Sequence, residues 1–505
     1  MNNGKICISV CVKTAREVAE SISKAELFAD VIEIRLDALD QNEIVPAINA
    51  LSSAKPLLLT YRPKAQGGMS DADSDERVAF WKKLAAESNA GTNGLWFDNE
   101  MDLAETVEWP NESIVVRSFH DFSGVPDSLN GLFAGLSSRG EIVKIAYAVN
   151  HITQAIPLWN LLDRAKSGGK SIIPIAMGEA GKWTRILGLA HGTFMTYVSP
   201  NAGSETAPGQ ISARDMLDVY RVKELNRNTD VYGIIGGNTS YSVSPYMHNA
   251  AINASGLNSV FIPLQVADLD DFMRRMVKPD TREVNLNFKG FSVTNPHKQA
   301  IMTHLDVIDE TAEAIGAVNT VKVDGGKFYG YNTDAQGFIE PLISKFGDLK
   351  GARTAVFGAG GAARACIYAL KRSNAEVSLF ARDTQKGGTL AEEFVIPFHK
   401  LTTDNRQLIT DFDIIVNATP LGTVGEVEEE SIATVEQLRS VKFVYDLIYN
   451  PLETKLIRNA KAANVASISG LEMVLAQGAE QFKIWTGFDA PTDEMRNAVE
   501  AKLHQ

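Results

Sequence analysis

The sequence predicts an α/β protein, with a (β/α)8 TIM barrel followed by a two-lobed α/β region. Three observations predict it. Short apolar, β-branched runs recur through the first part of the chain, at Lys5–Val12, Asp30–Leu36, Pro56–Tyr61, Gly94–Phe97, Ser113–Ser118, Glu141–Val149, Ser171–Ala176 and Phe194–Val198. Helix-like stretches such as Ala15–Phe28 and Glu76–Glu87 separate them, and eight strands alternating with helices is the count for a barrel. A doubly wound sheet of the same strands fits that periodicity too. Second, a helix-like stretch at Ser212–Leu225 and a polar linker at Asn226–Asp230 precede a new pattern: strand-like Val231–Ile235, Val260–Gln265 and Phe288–Val293, with helical Pro245–Ala254 between. Third, strand-like Thr354–Phe357 runs into Gly358-Ala359-Gly360-Gly361-Ala362-Ala363, helical Arg364–Leu370 and further strands at Glu376–Phe380, Asp413–Val416 and Lys442–Asp446. The expected domains are 1–225 for the barrel, 230–335 completed by 470–505 for one lobe, and 336–469 for a Rossmann lobe.

A chain of 505 residues is too long for one core. Its 45% hydrophobic and 22% charged residues are ordinary for a globular protein. The formal net charge of -13, without a basic run, argues against nucleic-acid binding. Cys7, Cys11 and Cys366 form neither a disulfide framework nor a zinc spacing, and the eight histidines show no ligand pattern, so no metal is expected. Met1-Asn2-Asn3 leads almost directly into a strand, leaving no room for a targeting peptide, and no apolar run is long enough to span a membrane. A cytoplasmic setting is expected, with small molecules as partners. The sequence leaves the oligomeric state open.

Charged residues inside the barrel strands are the first chemical signal. Glu33, Arg35 and Asp37 alternate with Ile32, Ile34 and Leu36 and so share one face. Arg62 ends the third strand, His120 follows the fifth and Lys144 lies within the sixth. Such groups collect at the C-terminal mouth of a barrel. Desolvation and neighbouring arginines lower a buried lysine's pKa from about 10.4 and favour the free amine. A free amine can attack a ketone, and a nearby His can move protons. A structural ion cluster of Lys144 with Glu33 accounts for the same pattern.

The barrel segment resembles type I 3-dehydroquinate dehydratases. The resemblance rests on Glu33-Ile34-Arg35-Leu36-Asp37, Thr60-Tyr61-Arg62-Pro63, Ser118-Phe119-His120-Asp121-Phe122, Val143-Lys144-Ile145-Ala146 and Ala207-Pro208-Gly209-Gln210, in that order. It implies a Schiff base on Lys144, His120 as proton shuttle and Glu33 as their support. Arg35, Arg62 and Arg185 would hold hydroxyls and a carboxylate, while Gln210 and Thr206, where the family often has Ser, would close the site. Met177 would be pocket wall. Where the family commonly reads Glu-Gly-Gly, this chain has Gln66-Gly67-Gly68. An amide keeps a hydrogen bond there but loses the charge, so an active but slower dehydratase is expected.

The glycine turn of the third pattern is the G-x-G-x-x-A form of a dinucleotide site in strand-turn-helix context. Its glycines let the backbone approach a pyrophosphate at a helix N-terminus; a purely structural turn is the other reading. The next strand ends Ala381-Arg382-Asp383. An acidic residue there suits NAD and an Arg suits NADP, so the residues alone leave both cofactors open.

From Tyr232 onward the chain resembles shikimate dehydrogenases. The resemblance is carried by Tyr241-Ser242-Val243-Ser244-Pro245, Phe291-Ser292-Val293-Thr294-Asn295-Pro296-His297-Lys298, Gly316-Ala317-Val318-Asn319-Thr320, Gly330-Tyr331-Asn332-Thr333-Asp334 and Asn417-Ala418-Thr419-Pro420, extended by Tyr449-Asn450-Pro451 and Met473-Val474-Leu475-Ala476-Gln477. It implies Lys298 and Asp334 as the proton-transfer dyad and Ser242, Ser244 and Tyr449 around the substrate carboxylate. Thr294, Asn319, Asp334 and Gln477 would take ring hydroxyls. Taken singly, Ser242 and Ser244 read as helix caps before Pro245, and Asn319 reads as a turn residue. Gly358, Ala359, Gly360, Gly361, Ala362, Arg382 and Thr419 would hold the cofactor, expected to be NADP with Lys386 as support and NAD permitted by Asp383. Together the resemblances imply a fusion that dehydrates 3-dehydroquinate and reduces 3-dehydroshikimate to shikimate. The alternative is an active dehydrogenase, for shikimate or quinate, joined to a degenerate barrel.

Overall fold

Eight parallel strands stand in the order in which the chain makes them. The computed structural model describes residues 2–87, 95–103, 107, 109, 113–138, 142–401 and 409–504. The strands are β1 (Lys5–Val10), β2 (Val31–Arg35), β3 (Leu57–Thr60), β4 (Leu95–Glu100), β5 (Ile114–Asp121), β6 (Ile142–Ala148), β7 (Ser171–Met177) and β8 (Met195–Val198). Gly94 and Glu141, the expected first residues of two strands, lie outside the described residues. The sheet runs β7-β6-β5-β4-β3-β2-β1-β8 with parallel neighbours. A doubly wound sheet would reverse its strand order at a switch point; this one does not. At the seam, the Phe194 N–H donates to the Ile172 carbonyl at 2.9 Å.

Period-two alternation builds the barrel interior. Cys7, Val31, Leu58, Trp96, Val116, Ile142, Ile173 and Met195, one from each strand, pack into one buried apolar cluster. Two residues further along their strands come Ser9, Glu33, Thr60, Asp98, Ser118, Lys144, Ile175 and Tyr197, which by alternation face the same interior. A polar layer therefore rests on an apolar floor, toward the C-terminal mouth.

Several expected elements end early. The β2 run stops at Arg35, and Leu36–Ala38 is a 3-10 turn, so Asp37 lies off the strand. The β1 run stops at Val10, which leaves Cys11 beyond it. Of the helix expected at Ser212–Leu225, regular helical structure ends with Val219, because the backbone turns left-handed at Arg221 (φ 48°). The linker is tied down: Thr229 N–H reaches the Asn226 carbonyl at 3.0 Å, and Arg227 donates to the His191 carbonyl at 2.9 Å.

Contacts divide the chain into two compact units. The first holds the residues up to Val231, with Asn238–Ser240 and Asn258–Asn287, and so includes β10 (Ser259–Gln265). The 230–335 segment, read from the sequence as one lobe, is thus shared between the units. β9 (Asp230–Gly236), which enters the second unit at Tyr232, is followed in its sheet by β11 (Phe288–Val293), β13 (Thr320–Asp324), β14 (Lys327–Tyr331) and β12 (Val307–Ile308). β13 and β14 form a hairpin through Gly325 and Gly326, both left-handed.

The remaining strands are β15 (Arg353–Phe357), β16 (Glu376–Ala381), β17 (Phe398–Lys400), β18 (Ile414–Asn417), β19 (Phe443–Asp446) and β20 (Ala466–Ser469). Their order, β17-β16-β15-β18-β19-β20, is the 3-2-1-4-5-6 arrangement of a Rossmann sheet. It puts the switch point at the C-terminal ends of β15 and β18. Nearby, the helices Asp334–Phe346 and Gly470–Thr486 pack so closely that a Cβ on Gly337 would lie 2.7 Å from the Gln477 backbone nitrogen. Gly337→Ala is expected to lower the stability of the second unit by about 1–3 kcal/mol, read from urea unfolding of the full chain. An unchanged midpoint would contradict this close approach.

Candidate active sites

In the barrel, one cavity is lined by Glu33, Arg35, Arg62, His120, Lys144, Arg185, Thr206 and Gln210, together with Ser9, Met177 and Tyr197. Every site residue expected from the sequence of this half therefore reaches it. Three groups bear most of the chemistry. Lys144 is buried, its ammonium 3.9 Å from the centre of the Tyr197 ring, 3.5 Å from Asp98 and 3.9 Å from Glu33. Both carboxylates make closer bonds elsewhere. Glu33 accepts from Ser9 Oγ at 2.6 Å and Thr60 Oγ1 at 2.8 Å, and Asp98 accepts from Arg62 at 2.7 Å and from Ser118. Lys144 thus sits in an ion cluster without a hydrogen-bonded counterion among the described residues. Burial, then the Arg62 charge, lowers its pKa against the opposing pull of Asp98 and Glu33.

His120 is buried, and neither ring nitrogen has a hydrogen-bond partner among the described residues. Burial and the charges of Arg62, Lys144 and Arg35 push its pKa well below 6.5, so the imidazole is neutral and able to take a proton. Burial opposes ionisation of Glu33, yet Lys144, Arg62, Arg35 and the Ser9 hydrogen bond bring its pKa from 4.5 to about 2.

The three arginines differ in their partners. Arg35 forks onto Asp37 at 2.9 and 2.6 Å, and Arg62 spans Asp98 at 2.7 Å and Glu100 at 3.2 Å. Arg185 reaches only the Tyr197 and Pro208 carbonyls, both at 3.4 Å, and has no carboxylate partner among the described residues. Burial alone lowers its pKa to about 10. It is the arginine with charge left for an anionic ligand. Gln210 sits beside it because the chain turns left-handed at Gly209 (φ 73°), where a Cβ would lie 2.4 Å from the Gly178 carbonyl oxygen. Gln210 Oε1 accepts from the Thr206 N–H at 2.7 Å.

Asp98 and Glu100 were not anticipated. They share one face of β4, and the alternation that picked out Glu33 and Arg35 picks them out once that strand is carried to Glu100. The Gln66 side-chain amide donates to Asp102 at 2.9 Å, and its buried Oε1 has no partner among the described residues.

In the second unit the dyad is closed. Lys298 Nζ donates to Asp334 Oδ2 at 2.5 Å, and Asn319 Nδ2 donates to Asp334 Oδ1 at 2.8 Å. Asn319 Oδ1 accepts from the Thr333 N–H at 2.8 Å, so both ends of its amide are used. Thr294 shares the β11 loop with Lys298, its N–H donating to the Ile235 carbonyl at 2.9 Å. Gln477 packs on Gly337, one turn along the helix that Asp334 begins. Ser242, Ser244 and Tyr449 make no hydrogen bond to this cluster among the described residues. Ser242 Oγ accepts the Ser244 N–H at 3.2 Å, a helix-start role. Burial raises the Tyr449 phenol to about 12, with Tyr241 adding to the shift.

The nucleotide turn fits a dinucleotide. Gly358 is left-handed (φ 113°), and a Cβ there would lie 2.5 Å from the Ala418 carbonyl oxygen. A Cβ on Gly360 would meet nothing within 4 Å, and no side chain caps the helix Gly361–Arg372 that follows. An open, uncapped helix N-terminus suits a pyrophosphate. Gly361 lies against the Lys298 stem, 3.2 Å from a built Cβ to Cδ, so turn and dyad share one crevice. Asp383 caps the helix that follows, its Oδ1 accepting the Gln385 and Lys386 N–H groups at 3.0 Å each, and both it and Arg382 are exposed. The Thr419 hydroxyl is turned onto Asn417 Oδ1 at 2.7 Å.

Comparison with known proteins matches residues 6–227 to the type I 3-dehydroquinase family, 234–321 to the shikimate dehydrogenase substrate binding domain, 342–474 to shikimate/quinate 5-dehydrogenase and 470–500 to the shikimate 5'-dehydrogenase C-terminal domain. The chloroplastic bifunctional 3-dehydroquinate dehydratase/shikimate dehydrogenase of Arabidopsis thaliana is 33% identical over 97% of this chain and 83% of that protein. The chain belongs to this bifunctional family. Its second half is also similar to the shikimate dehydrogenase (NADP(+)) of Methanocaldococcus jannaschii, 40% identical over 55% of this chain and 99% of that one. A crystal structure of a shikimate dehydrogenase in complex with NADP+ aligns over 56% of this chain and 98% of its own, with 38% identity and a TM-score of 0.51.

In this member of the dehydratase/dehydrogenase family, Glu33 links the barrel site to acid stability. Its folded pKa is depressed, so its contribution is present above 4.5 and is lost as pH falls through about 2. Glu33→Gln should flatten the loss of stability over that window, measured by urea unfolding of the full chain followed by tryptophan fluorescence. An equal acid slope in both proteins would contradict the ionised Glu33.

Proposed function

We propose that the barrel dehydrates 3-dehydroquinate through an imine on Lys144 and that the second half reduces the product, 3-dehydroshikimate, to shikimate with NADPH. One observation carries the first step: an amine, an imidazole and an arginine that, among the described residues, have respectively no hydrogen-bonded counterion, no partner and no carboxylate line a single cavity. The neutral Lys144 amine adds to the substrate ketone, and loss of water leaves the imine. His120 takes a proton from the carbon between the imine and the leaving hydroxyl. The electron pair moves into the imine and then out to expel that hydroxyl, which leaves as water with the proton from His120. Hydrolysis of the imine frees Lys144. Arg185 holds the substrate carboxylate by a charge-assisted fork, and the N–H groups that Arg35 and Arg62 keep free serve its hydroxyls. Gln210 and Thr206 close the pocket, and Glu33 holds the electrostatics of the His-Lys pair.

In the second half, bound NADPH supplies the hydride. Lys298 gives a proton to the oxygen of the former ketone, and Asp334 and Asn319 keep Lys298 aimed. Ser242, Ser244 and Tyr449 take the shikimate carboxylate, while Thr294, Asn319, Asp334 and Gln477 take the ring hydroxyls. Gly358, Ala359, Gly360, Gly361 and Ala362 hold the pyrophosphate. Arg382, with Lys386, takes the 2′-phosphate. Asp383 gives one carboxylate oxygen, Oδ1, to the Gln385 and Lys386 N–H groups, and the NADP assignment rests on Arg382 and on the similarity to NADP(+)-dependent shikimate dehydrogenases. Thr419 shapes the loop opposite. The proposed limits remain 1–225, 230–335 with 470–505, and 336–469. No described helix is long and apolar enough to cross a membrane; a cytoplasmic setting is proposed from the three unpaired cysteines.

The degenerate-barrel alternative loses ground, since Lys144, His120, Glu33 and Arg185 are all present on one cavity. Lys144→Ala is expected to cut dehydration roughly a thousandfold or more and leave shikimate oxidation unchanged. Borohydride with 3-dehydroquinate should add a reduced ligand mass to the unaltered chain alone. Equal loss of both activities, or an adduct on the variant, would contradict the assignment.

A further inference from the structure

Gln481 lies on the helix Gly470–Thr486, one turn beyond Gln477; it is buried and all four sides of its amide are used. Its Nε2 donates to the Asn319 carbonyl at 3.2 Å and to Thr320 Oγ1 at 3.0 Å. Its Oε1 accepts from Ser292 Oγ at 2.8 Å and faces His248 Nε2 at 3.2 Å. A backbone carbonyl can only accept, which fixes which end of the amide faces Asn319. Thr320 then receives a hydrogen from Gln481 and turns its own toward Asn319 Oδ1, 2.7 Å away. From there Asn319 Nδ2 donates to Asp334 Oδ1, and Asp334 Oδ2 holds Lys298. On the far side, burial lowers the His248 pKa to about 3, and because Gln481 Oε1 can only accept, the contact at 3.2 Å requires the tautomer with its hydrogen on Nε2. Gln481 therefore grips Asn319 twice, through its carbonyl and, by way of Thr320, through its side chain.

We infer that Gln481 is a positioning residue of the dehydrogenase, setting the direction of a hydrogen-bond chain that runs through Thr320 and Asn319 to the Lys298–Asp334 dyad. The inference rests on the dehydrogenase reading given above. A merely structural Gln481 would satisfy buried groups and leave the dyad's proton chemistry untouched. The variants Gln481→Glu and Thr320→Val separate the two roles. Gln481→Glu replaces the donor facing Asn319 with an acceptor of the same shape. Thr320→Val cuts the side-chain link and leaves the Gln481–Asn319 carbonyl bond in place.

The test follows shikimate oxidation by the full chain with NADP+ across pH, with dehydration of 3-dehydroquinate by the same sample as the control for active protein. Each variant should lose about tenfold in kcat, with KM for NADP+ within about twofold. The acid-side midpoint of the kcat profile should rise by on the order of half a unit, because a carboxylate that loses an amide donor is less well held as an anion. The double variant should be no slower than the slower single one, since both cut one chain. Unmoved pH midpoints in both variants, or losses that multiply in the double variant, would overturn the inference. A lack of shikimate oxidation in the unaltered chain would overturn the dehydrogenase reading itself, and the inference with it.

Discussion

Burying a lysine among barrel strands costs several kcal/mol if it stays charged, and the whole mouth of the barrel is arranged around that constraint. Asp98 and Glu33 stand close enough to favour the ammonium, but Arg62, Ser118, Ser9 and Thr60 occupy their oxygens first. Lys144 is left with its carboxylates at 3.5 and 3.9 Å and the Tyr197 ring beneath it, and with no hydrogen bond among the described residues. The same arrangement sets the imidazole of His120 neutral and leaves Arg185 without a carboxylate. An apolar floor lies one layer below these groups.

Lys298 shows the contrast. It is half-buried and bonded directly to Asp334 at 2.5 Å, with Asn319 behind the carboxylate. A nucleophilic amine has to be free of protons and of close counterions, whereas a proton donor benefits from one. The two site lysines, Lys144 and Lys298, are housed accordingly, one 3.5 Å or more from its carboxylates and one in contact. Each geometry suits the step that its half contributes.

Much of this was legible in the sequence, because it is local. Period two in the strands gave the barrel, and charged residues inside those strands gave Glu33, Arg35 and Lys144. The glycine turn after β15 gave the nucleotide lobe. Less local features were not read. The apolar run of β4 stops at Phe97, one residue short of Asp98, so its pattern does not announce the carboxylates that hold Arg62. The Asp324-Gly325-Gly326-Lys327 turn marks a hairpin, but its five-residue strands carry too little pattern to stand out. Which arginine keeps its charge free is a matter of partners brought from distant strands. The Arg382-Asp383 pair was ambiguous as two letters; the helix start at Thr384 gives the carboxylate its task. Gln481 gave no signal, since a buried amide on an apolar helix face differs little from its neighbours until β11 and β13 are packed against it.

The account stands on two sites acting in sequence within one chain. Purified protein supplied with 3-dehydroquinate and NADPH alone tests that claim most directly, with cofactor oxidation followed by absorbance and the product identified by chromatography. The account predicts one NADPH consumed for each shikimate formed. NADPH consumption with quinate as the product would contradict it, and so would 3-dehydroquinate left unchanged while added 3-dehydroshikimate is reduced.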